Sequence, residues 1–461
     1  MTDIVTGCGG ISSNEESFSS NPYDVFYEPK FNDEIGEPFE QDYHPLSTGS
    51  GENGVPYQFL VRSERDTFIR LDNARIGGEA KVVKEEDGTN VDGSKDEWTV
   101  VNNVYMALFS SIALSIMGTN ISDTTTNPNL FKSFLFMLLN FSREFKNKVL
   151  SNPGFNWFPD KYIGNSNIKQ IDDSAAANKP EHPFAKRKKD LKVDYQEFSI
   201  PLLTDLVTSK KYLPPGQTME ITLTRSEPEF YMILNLPNGS DKLKIVLKDV
   251  HLTFEKVPIS EAAVIEFQRT LKTKRMKMHF TQTRMKPYSV VAGNTDWGQY
   301  EFHVGILPRS VYICFQKQSV YNGSYATNPY VFENPVLDEA QLIWNSRQYP
   351  VKPWTTNKKK KVKLYNAFLA NTGGNLMEST SVPISYEEYY KNFFILAWDR
   401  TRARDNGFRY QRGEEGHLSI NLKVDLSPNT YTMTEPIVVI VMMCFDSVVN
   451  FEGDAVSVVK L

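Results

Sequence analysis

Residues 102–145 read NNVYMALFSSIALSIMGTNISDTTTNPNLFKSFLFMLLNFSREF, and this stretch decides the fold. Val104 to Phe109 and Ile112 to Met117 have the make-up of two short strands. In the second, Ile112, Leu114 and Ile116 alternate with Ala113 and Ser115, the period of two that sets one face on a core. Gly118-Thr119-Asn120 supplies a turn, and a strongly apolar helix follows. Asn127 suits its N-cap and Pro128 its first turn, where a missing N–H costs nothing. Phe131, Phe134, Leu135, Leu138 and Phe145 keep helical spacing. Phe136, Met137 and Leu139 fill the other side, so the first half of the helix is expected to be buried all round.

The same order returns in the second half of the chain. Ala340 to Trp344 and Tyr349 to Val351 face each other across a hairpin turn at Asn345-Ser346-Arg347-Gln348. A helix then starts at Ser385-Tyr386-Glu387-Glu388, a capping box in which Ser385 and Glu388 satisfy each other's free N–H groups, with Ile384 and Tyr389 placed as a hydrophobic staple. Tyr390, Phe393, Phe394 and Leu396 to Trp398 continue its apolar surface, and Asp399-Arg400-Thr401 ends it.

Strands surround both units. In the first half they run through Tyr57 to Val61, Phe68 to Ile76, Trp98 to Val101, Val193 to Ile200, Met219 to Thr224 and Phe230 to Leu234. Leu243, Ile245 and Leu247 alternate on odd positions but Val250, Leu252 and Phe254 on even ones. A phase slip at Lys248-Asp249 predicts a bulge or bend, because a one-residue shift would otherwise turn the buried face outward. Pro258 to Leu271 reads as a helical connector with Ser260 as N-cap. The second half adds Met276 to Thr281, Phe302 to Leu307 and Val311 to Phe315. Leu418, Ile420, Leu422, Val424 and Leu426 alternate cleanly with outward Ser419, Asn421, Lys423 and Asp425. Ile437 to Phe445 is apolar throughout, as a strand covered on both faces requires.

At 461 residues the chain exceeds one ordinary core and fits two domains of about 200 residues plus tails. Strand-rich halves with helices only at their edges predict an all-β chain of two tandem jelly-roll β-sandwiches with a few short helices. The expected division is an acidic, mobile arm at 1–56, a first jelly roll at 57–258, a connector at 259–275 and a second jelly roll at 276–461. Lys30 is the arm's only Lys or Arg, yet Phe18, Tyr23, Phe26, Tyr27, Phe31 and Phe39 give it aromatic surface that a purely solvating tail does not need. Docking on a neighbouring chain and docking on its own chain both fit.

Composition narrows the function. The longest apolar run, Ile437 to Phe445, is far short of the roughly 20 residues of a membrane helix. The start, Met1-Thr2-Asp3, lacks the basic and apolar segments of a secretory signal, so an intracellular origin is expected and the sequons at Asn120, Asn140, Asn238 and Asn322 should stay unmodified. Three widely spaced cysteines, Cys8, Cys314 and Cys444, do not build a disulfide scaffold. A net charge of -5 excludes a protein that coats nucleic acid with its whole surface.

The chain contains no GxxxxGK[ST], HExxH or GxSxG motif. His44, His182, His251, His279, His303 and His417 never stand at i, i+4 spacing, and His251 and His303 lie in strand segments. Glu387-Glu388 and Glu414-Glu415 are adjacent and diverge, which does not suit acid–base work. Cys314 and Cys444 sit in apolar strands, where a thiol acts as a small hydrophobe. No catalytic residue, cofactor-binding residue or metal ligand is therefore assigned, no cofactor is expected, and the chain is read as not an enzyme. Two basic runs remain, Ala185-Lys186-Arg187-Lys188-Lys189 at the end of a long aperiodic segment from Phe155 and Lys358 to Lys361 with Lys363. Each reads either as a solvated loop or as a contact: a localisation signal or phosphate patch for the first, packaged nucleic acid or an acidic surface for the second.

Five blocks in order resemble one family, the double jelly-roll major capsid proteins of Polinton (Maverick) elements and adintovirus-type viruses. Tyr43-His44-Pro45-Leu46-Ser47-Thr48 is similar to that family's arm segment, and Asn102 to Ile112 to its N-x-x-x-x-L-F-S-x-I/V block, with Gly118 and the Phe131 to Leu139 helix following in the expected order. Tyr321-Asn322-Gly323-Ser324-Tyr325 with Asn328-Pro329-Tyr330-Val331-Phe332 resembles FNGxYxxNPFxF. Tyr349-Pro350-Val351-Lys352-Pro353 resembles QPVKP, and Ile384 to Asp399 resembles ISxEDYxxGYxLYAFD. The ends depart: Phe451-Glu452-Gly453-Asp454 and Val458-Val459-Lys460-Leu461 stand where the family commonly has Ile-Asp and then Arg.

The resemblance implies a structural major capsid protein. Three chains would form a pseudo-hexagonal capsomer tiling an icosahedral shell, made and assembled inside the host cell and resident in the virion. Its partners would be other copies of itself, penton and other minor capsid proteins, and weakly the packaged DNA, with no small-molecule substrate. Two other classes fit the strands. One is a tandem β-sandwich module binding glycans or a receptor through exposed aromatics such as Trp157 and Trp354; the other is a double jelly-roll hydrolase with carboxylates clustered in a cleft.

Overall fold

The alternating segments assemble into two sets of eight strands that share one wiring order. The computed structural model describes residues 35–47, 54–91, 98–122, 128–157, 183–191, 194–209, 211–234, 242–356, 361–372, 382, 384–401, 412–426, 433–452 and 455–461. The first half supplies β1 (Phe39–Tyr43), β2 (Tyr57–Arg62), β3 (Thr67–Lys84), β4 (Trp98–Val100), β5 (Phe109–Ile116), β6 (Thr119–Asn120), β7 (Gln196–Pro201), β8 (Tyr212–Leu213), β9 (Thr218–Arg225), β10 (Met232–Leu234) and β11 (Leu243–Pro258). The second supplies β12 (Met276–Val290), β13 (Gln299–Ile306), β14 (Ser310–Lys317), β15 (Leu337–Trp344), β16 (Arg347–Trp354), β17 (Ile395–Asp399), β18 (Glu415–Val424), β19 (Ile437–Glu452) and β20 (Ala455–Lys460).

In the second half the sheets run β12-β19-β14-β17 and β13-β18-β15-β16. Counted along the chain, that is first-eighth-third-sixth and second-seventh-fourth-fifth, the order of an eight-stranded jelly roll. The first half repeats it with β1-β11-β3-β7 and β2-β9-β5-β6. β8 extends β3, β20 extends β19, and β4 pairs with β10 apart from the sheets. β19 lies between β12 and β14, and both of its faces are buried from Ile437 to Met443, as its unbroken apolar run requires.

This order shows that Phe39–Tyr43, within the stretch expected to be a mobile arm, is the first strand of a sheet. It pairs residue for residue with β11, from Phe39 opposite Lys256 to Tyr43 opposite Leu252. Its sequence, FEQDY, carries no apolar alternation because it is an edge strand held by its backbone. Most of the expected arm, including Phe18 and Tyr23, lies outside the described residues, as do Cys8, Asn127, Asn238 and His182.

Local chemistry explains several elements. The phase slip in β11 is a bulge: its register against β3 shifts between Lys248 and His251, and Asp249 has φ 51°. Opposite it, Gly77 makes room for the His251 ring, since a Cβ there would fall 2.4 Å from Nε2. Asn345 and Ser346, with φ 48° and 64°, form a two-residue turn, so β16 already resumes at Arg347. Ser260 caps the connector helix Glu261–Thr273 by accepting from the Ala263 N–H. Ser385 and Glu388 make both bonds of the capping box of the helix Tyr386–Lys391.

Three elements differ from the sequence reading. Val104–Ala107 is a helical turn: Asn103 at φ 60° reverses the chain, and Asn129 Nδ2 donates to the Met106 and Phe109 carbonyls. Ile395–Asp399 is a strand on β14, because the Tyr386–Lys391 helix stops at Asn392. Two helices are unexpected: Pro183–Leu191 contains the first basic run, and Val362–Asn371 contains Lys363 of the second, with Lys361 just before its start.

Candidate functional site

Among the described residues the chemistry-bearing side chains do not converge. Cys314 is buried in β14, where burial raises its thiol far above the ordinary range, and Cys444 is pushed up to about 11, again chiefly by burial. His303 bonds through Nε2 to the Ile306 carbonyl at 2.9 Å, and burial holds its pKa down. Among the described residues no group of three or more His, Cys, Asp or Glu is placed to hold a metal ion. Glu387 lies near Lys391, at 3.8 Å, while Glu388 is committed to the capping box. In a cleft of about 80 Å³ lined by Arg309, Trp344, Arg400, Arg412, Glu414 and Asp446, two of the three arginines are engaged within the chain: Arg309 pairs with Asp446 at 2.9 Å, and Arg400 stacks 3.7 Å over Tyr349.

The basic run at 185–189 is woven into the fold. Phe184, Arg187 and Leu191 occupy one helix face; Arg187 is 0% exposed, its backbone carbonyl accepts from Asn156 Nδ2, and Lys188 lies 5.0 Å from the Trp98 ring centre. A localisation signal would have to be accessible, and Arg187 is not. Of the second run, Lys358 to Lys360 lie outside the described residues, whereas Lys361 sits 5.3 Å over the Tyr390 ring. Trp157 and Trp354, the aromatics expected to face a glycan, are 2% and 7% exposed, and Trp354 stacks on Trp398.

What the fold does bring together is a seam between its halves. The aromatic helix Pro128–Asn140, in the connection between β6 and β7, lies against the second half. Phe134 stacks on Tyr330 with ring centres 4.0 Å apart, meets Phe332 edge-on and lies tilted against Phe393; Phe131 stacks on Tyr321 at 5.8 Å. Each buried ring contributes about 1.5–3 kcal/mol by removal from water. The seam is therefore a core in its own right, and it joins two blocks that the sequence reading noticed separately, the Phe131 to Leu139 helix and the Tyr321 to Phe332 segment.

Polar bonds fix its register. Lys132 pairs with Asp205 at 2.6 Å, and the other oxygen of Asp205 accepts from the Thr283 backbone N–H of β12 at 3.0 Å. Gln282 donates to the Ile121 carbonyl, Thr119 to that of Val456, and the Leu234 N–H to that of Tyr325. Nearer the surface, Arg143 reaches Glu388 at 3.2 Å. Behind the aromatic helix, Lys146 is 4% exposed; its Nζ donates to the Leu138 carbonyl at 2.6 Å and lies over the Trp157 ring. Burial, with Arg143 nearby, lowers its pKa to about 7.

Away from the seam, β13 and β16 are the edges of the β13-β18-β15-β16 sheet, with no further strand paired to them among the described residues. On β13, Tyr300 is 84% and Val304 57% exposed; on β16, Val351 is 85% exposed between Pro350 and Pro353. Proline gives no N–H, so β16 is a blunted edge that resists another strand while offering apolar side chains.

Two jelly rolls of equal wiring in one chain define the class: the fold is a double jelly roll. It is shared with a chain of the Sputnik virophage solved by cryo-EM, at TM-score 0.58 and 12% identity, covering 95% of this chain and 91% of that one. It is shared likewise with the mavirus major capsid protein, at 0.51 and 10%, covering 95% and 94%, and with the Faustovirus major capsid protein, at 0.51 and 8%, covering 92% and 92%. No protein-family model matches the chain, and no curated protein matches it in sequence.

Proposed function

We propose that this chain is a structural major capsid protein rather than an enzyme, with the virion as its place of action. The observation that carries the reading is the seam: two identically wired jelly rolls are fixed side by side by a shared aromatic core, as one rigid building block. Solved double jelly rolls of virophages and a large DNA virus span nearly the whole chain. Three such blocks present six similar sandwiches, so a threefold particle approximates hexagonal packing. The exposed residues on the β13 and β16 edges give copies of the chain apolar surface to meet on.

In this reading the chain divides into an arm before Phe39, a first jelly roll to Pro258, a connector at 259–275 and a second jelly roll from Met276. Other copies are its first partners, penton and minor capsid proteins its second, and packaged DNA a weak contact. The five sequence blocks favour the Polinton, Maverick and adintovirus-type branch, with assembly inside the host cell. Light scattering on a sizing column followed by negative-stain microscopy tests the proposal. Three-chain particles of hexagonal outline, or closed shells, are expected; a monomer that persists across salt and pH would overturn it.

A further inference from the structure

The connector helix Glu261–Thr273 differs from the other long helices in being nearly bare. None of its described side chains is buried, Ile265 is 52% and Leu271 39% exposed, and the ring contact that holds it to the sheets is Phe267 against Phe68 at 5.4 Å. Val264, Phe267 and Leu271 follow helical spacing along one side, with Ile265 on the shoulder. The helix and its extension, residues 260–277, carry five lysines and arginines against two glutamates. Lys274, Arg275 and Lys277 are exposed. It is an apolar strip with a basic end.

The described chain begins beside this helix. Ile35 bridges Ile259, and the Gly36 N–H donates to the Pro258 carbonyl at 2.9 Å, so the point to which residues 1–34 are joined lies at the N-terminal end of the helix. Those residues contain seven acidic side chains and a single lysine, with Phe18, Tyr23, Phe26, Tyr27 and Phe31 among them. Their chemistry complements the helix in both respects: rings for the apolar strip, carboxylates for the basic end.

We propose that the connector helix is the docking surface for residues 1–34 of the same chain. The geometry favours the chain's own segment over a neighbour's. A helix of 13 residues is about 20 Å long, within reach of a segment that can extend roughly 3.3 Å per residue. Tethering at Ile35 holds the segment near the helix at an effective concentration on the order of millimolar, so modest complementarity suffices for occupancy. Docking covers Ile265 and Leu271 and leaves the edges of the sheets free for other contacts.

The test uses the full chain. Hydrogen exchange of the amides of residues 261–273 is compared between the wild type and a Phe26→Ser, Tyr27→Ser, Phe31→Ser variant. Exchange should speed up about tenfold in the variant, as expected for a helix that has lost its cover. Conversely, Ile265→Ser with Leu271→Ser should leave the melting temperature nearly unchanged but make chymotrypsin cut the N-terminal segment about tenfold faster. Zero-length carboxylate–amine cross-linking of particles assembled from mixed light and 15N-labelled chains assigns the occupant. Links from Glu15 to Glu34 onto Lys274 or Lys277 should join equal isotopes only. Unchanged exchange and unchanged cleavage, or links between light and heavy chains, would overturn the proposal, the latter by assigning the surface to a neighbouring copy.

Discussion

The connection between the fifth and sixth strands carries helices in both jelly rolls, and the two connections have diverged in purpose. In the first roll the helix Pro128–Asn140 is apolar nearly all round, and its Phe134 places its ring among Tyr330, Phe332 and Phe393 of the other roll. In the second roll Val362–Asn371 and Tyr386–Lys391 are one-sided. Leu364, Phe368 and Tyr389 face inward, Tyr386 is exposed, and their rings meet within their own roll, Tyr389 lying 4.7 Å from Phe368 and 5.4 Å from Phe394. A helix buried on every side needs cover from two bodies, whereas an amphipathic one needs a single sheet. The first connection is cement between rolls, and the second is a cap on its own.

Replacing one ring in each connection should separate these roles. Phe134→Ala and Phe368→Ala each remove a fully buried phenyl and should each cost about 3–5 kcal/mol. Only Phe134→Ala should also uncouple the rolls, turning one calorimetric unfolding transition into two. A single sharp transition in that variant would break the comparison. Next in size is Lys132→Met, which leaves Asp205 buried without its cation and should cost about 3 kcal/mol in a denaturant titration. The double variant Lys132→Met, Asp205→Leu should recover part of that loss. Equal stability of the single and double variants would mean that Lys132 does not brace the Asp205 carboxylate, which itself bonds Thr283 of the other half.

Sequence reading reached what is local or periodic. The bulge at Lys248-Asp249 showed as a change of phase, the two caps as Ser260 and Ser385 before amphipathic runs, and β19 as an unbroken apolar run. It missed β1, since an edge strand paired through its backbone needs no apolar pattern. It read Val104 to Phe109 as a strand because Val, Tyr and Phe favour sheets; Asn129, twenty or more residues away, imposes the turn by bonding the Met106 and Phe109 carbonyls. The helices over the basic runs were detectable from Phe184, Arg187 and Leu191 and from Leu364 and Phe368 at helical spacing, but the lysines drew the reading toward solvent. Ser419, expected outward, is buried because its hydroxyl accepts the Glu301 N–H. The seam itself was not legible: stacking of Phe134 on Tyr330 joins residues almost two hundred apart, and no single-chain periodicity encodes that.

Lys146 sharpens the comparison through pH. Its pKa falls from an ordinary 10.5 to about 7 in the fold, mainly by burial behind the aromatic helix and then by Arg143. Between those values the unfolded chain binds a proton that the folded chain does not, so raising the pH disfavours unfolding. Stability should climb by at most about 1.4 kcal/mol per pH unit above pH 7 and level off as the ordinary value is approached. Lys146→Met should remove that rise, visible as a difference between the two stability curves from pH 7 to 9.5. Parallel curves would mean that the ammonium remains solvated, and with it that the first connection is less tightly packed than the second.

The smallest expected effect lies where the two connections touch. Glu388 closes the capping box of the second connection by accepting the Ser385 N–H at 2.8 Å, and the same oxygen takes Arg143 from the first at 3.2 Å. Ser385→Ala removes the hydroxyl that accepts the Glu388 N–H and should cost about 1 kcal/mol. Arg143→Gln removes a pair whose cation is more than half exposed, and should cost well under about 1 kcal/mol. If the cap serves only its own roll, the two losses should add in the double variant, because Glu388 keeps its bond to the Ser385 backbone when Arg143 is gone. A double variant less damaged than the sum would show that Glu388 couples the rolls. The second connection would then share the cementing role here assigned to Phe134 and its neighbours.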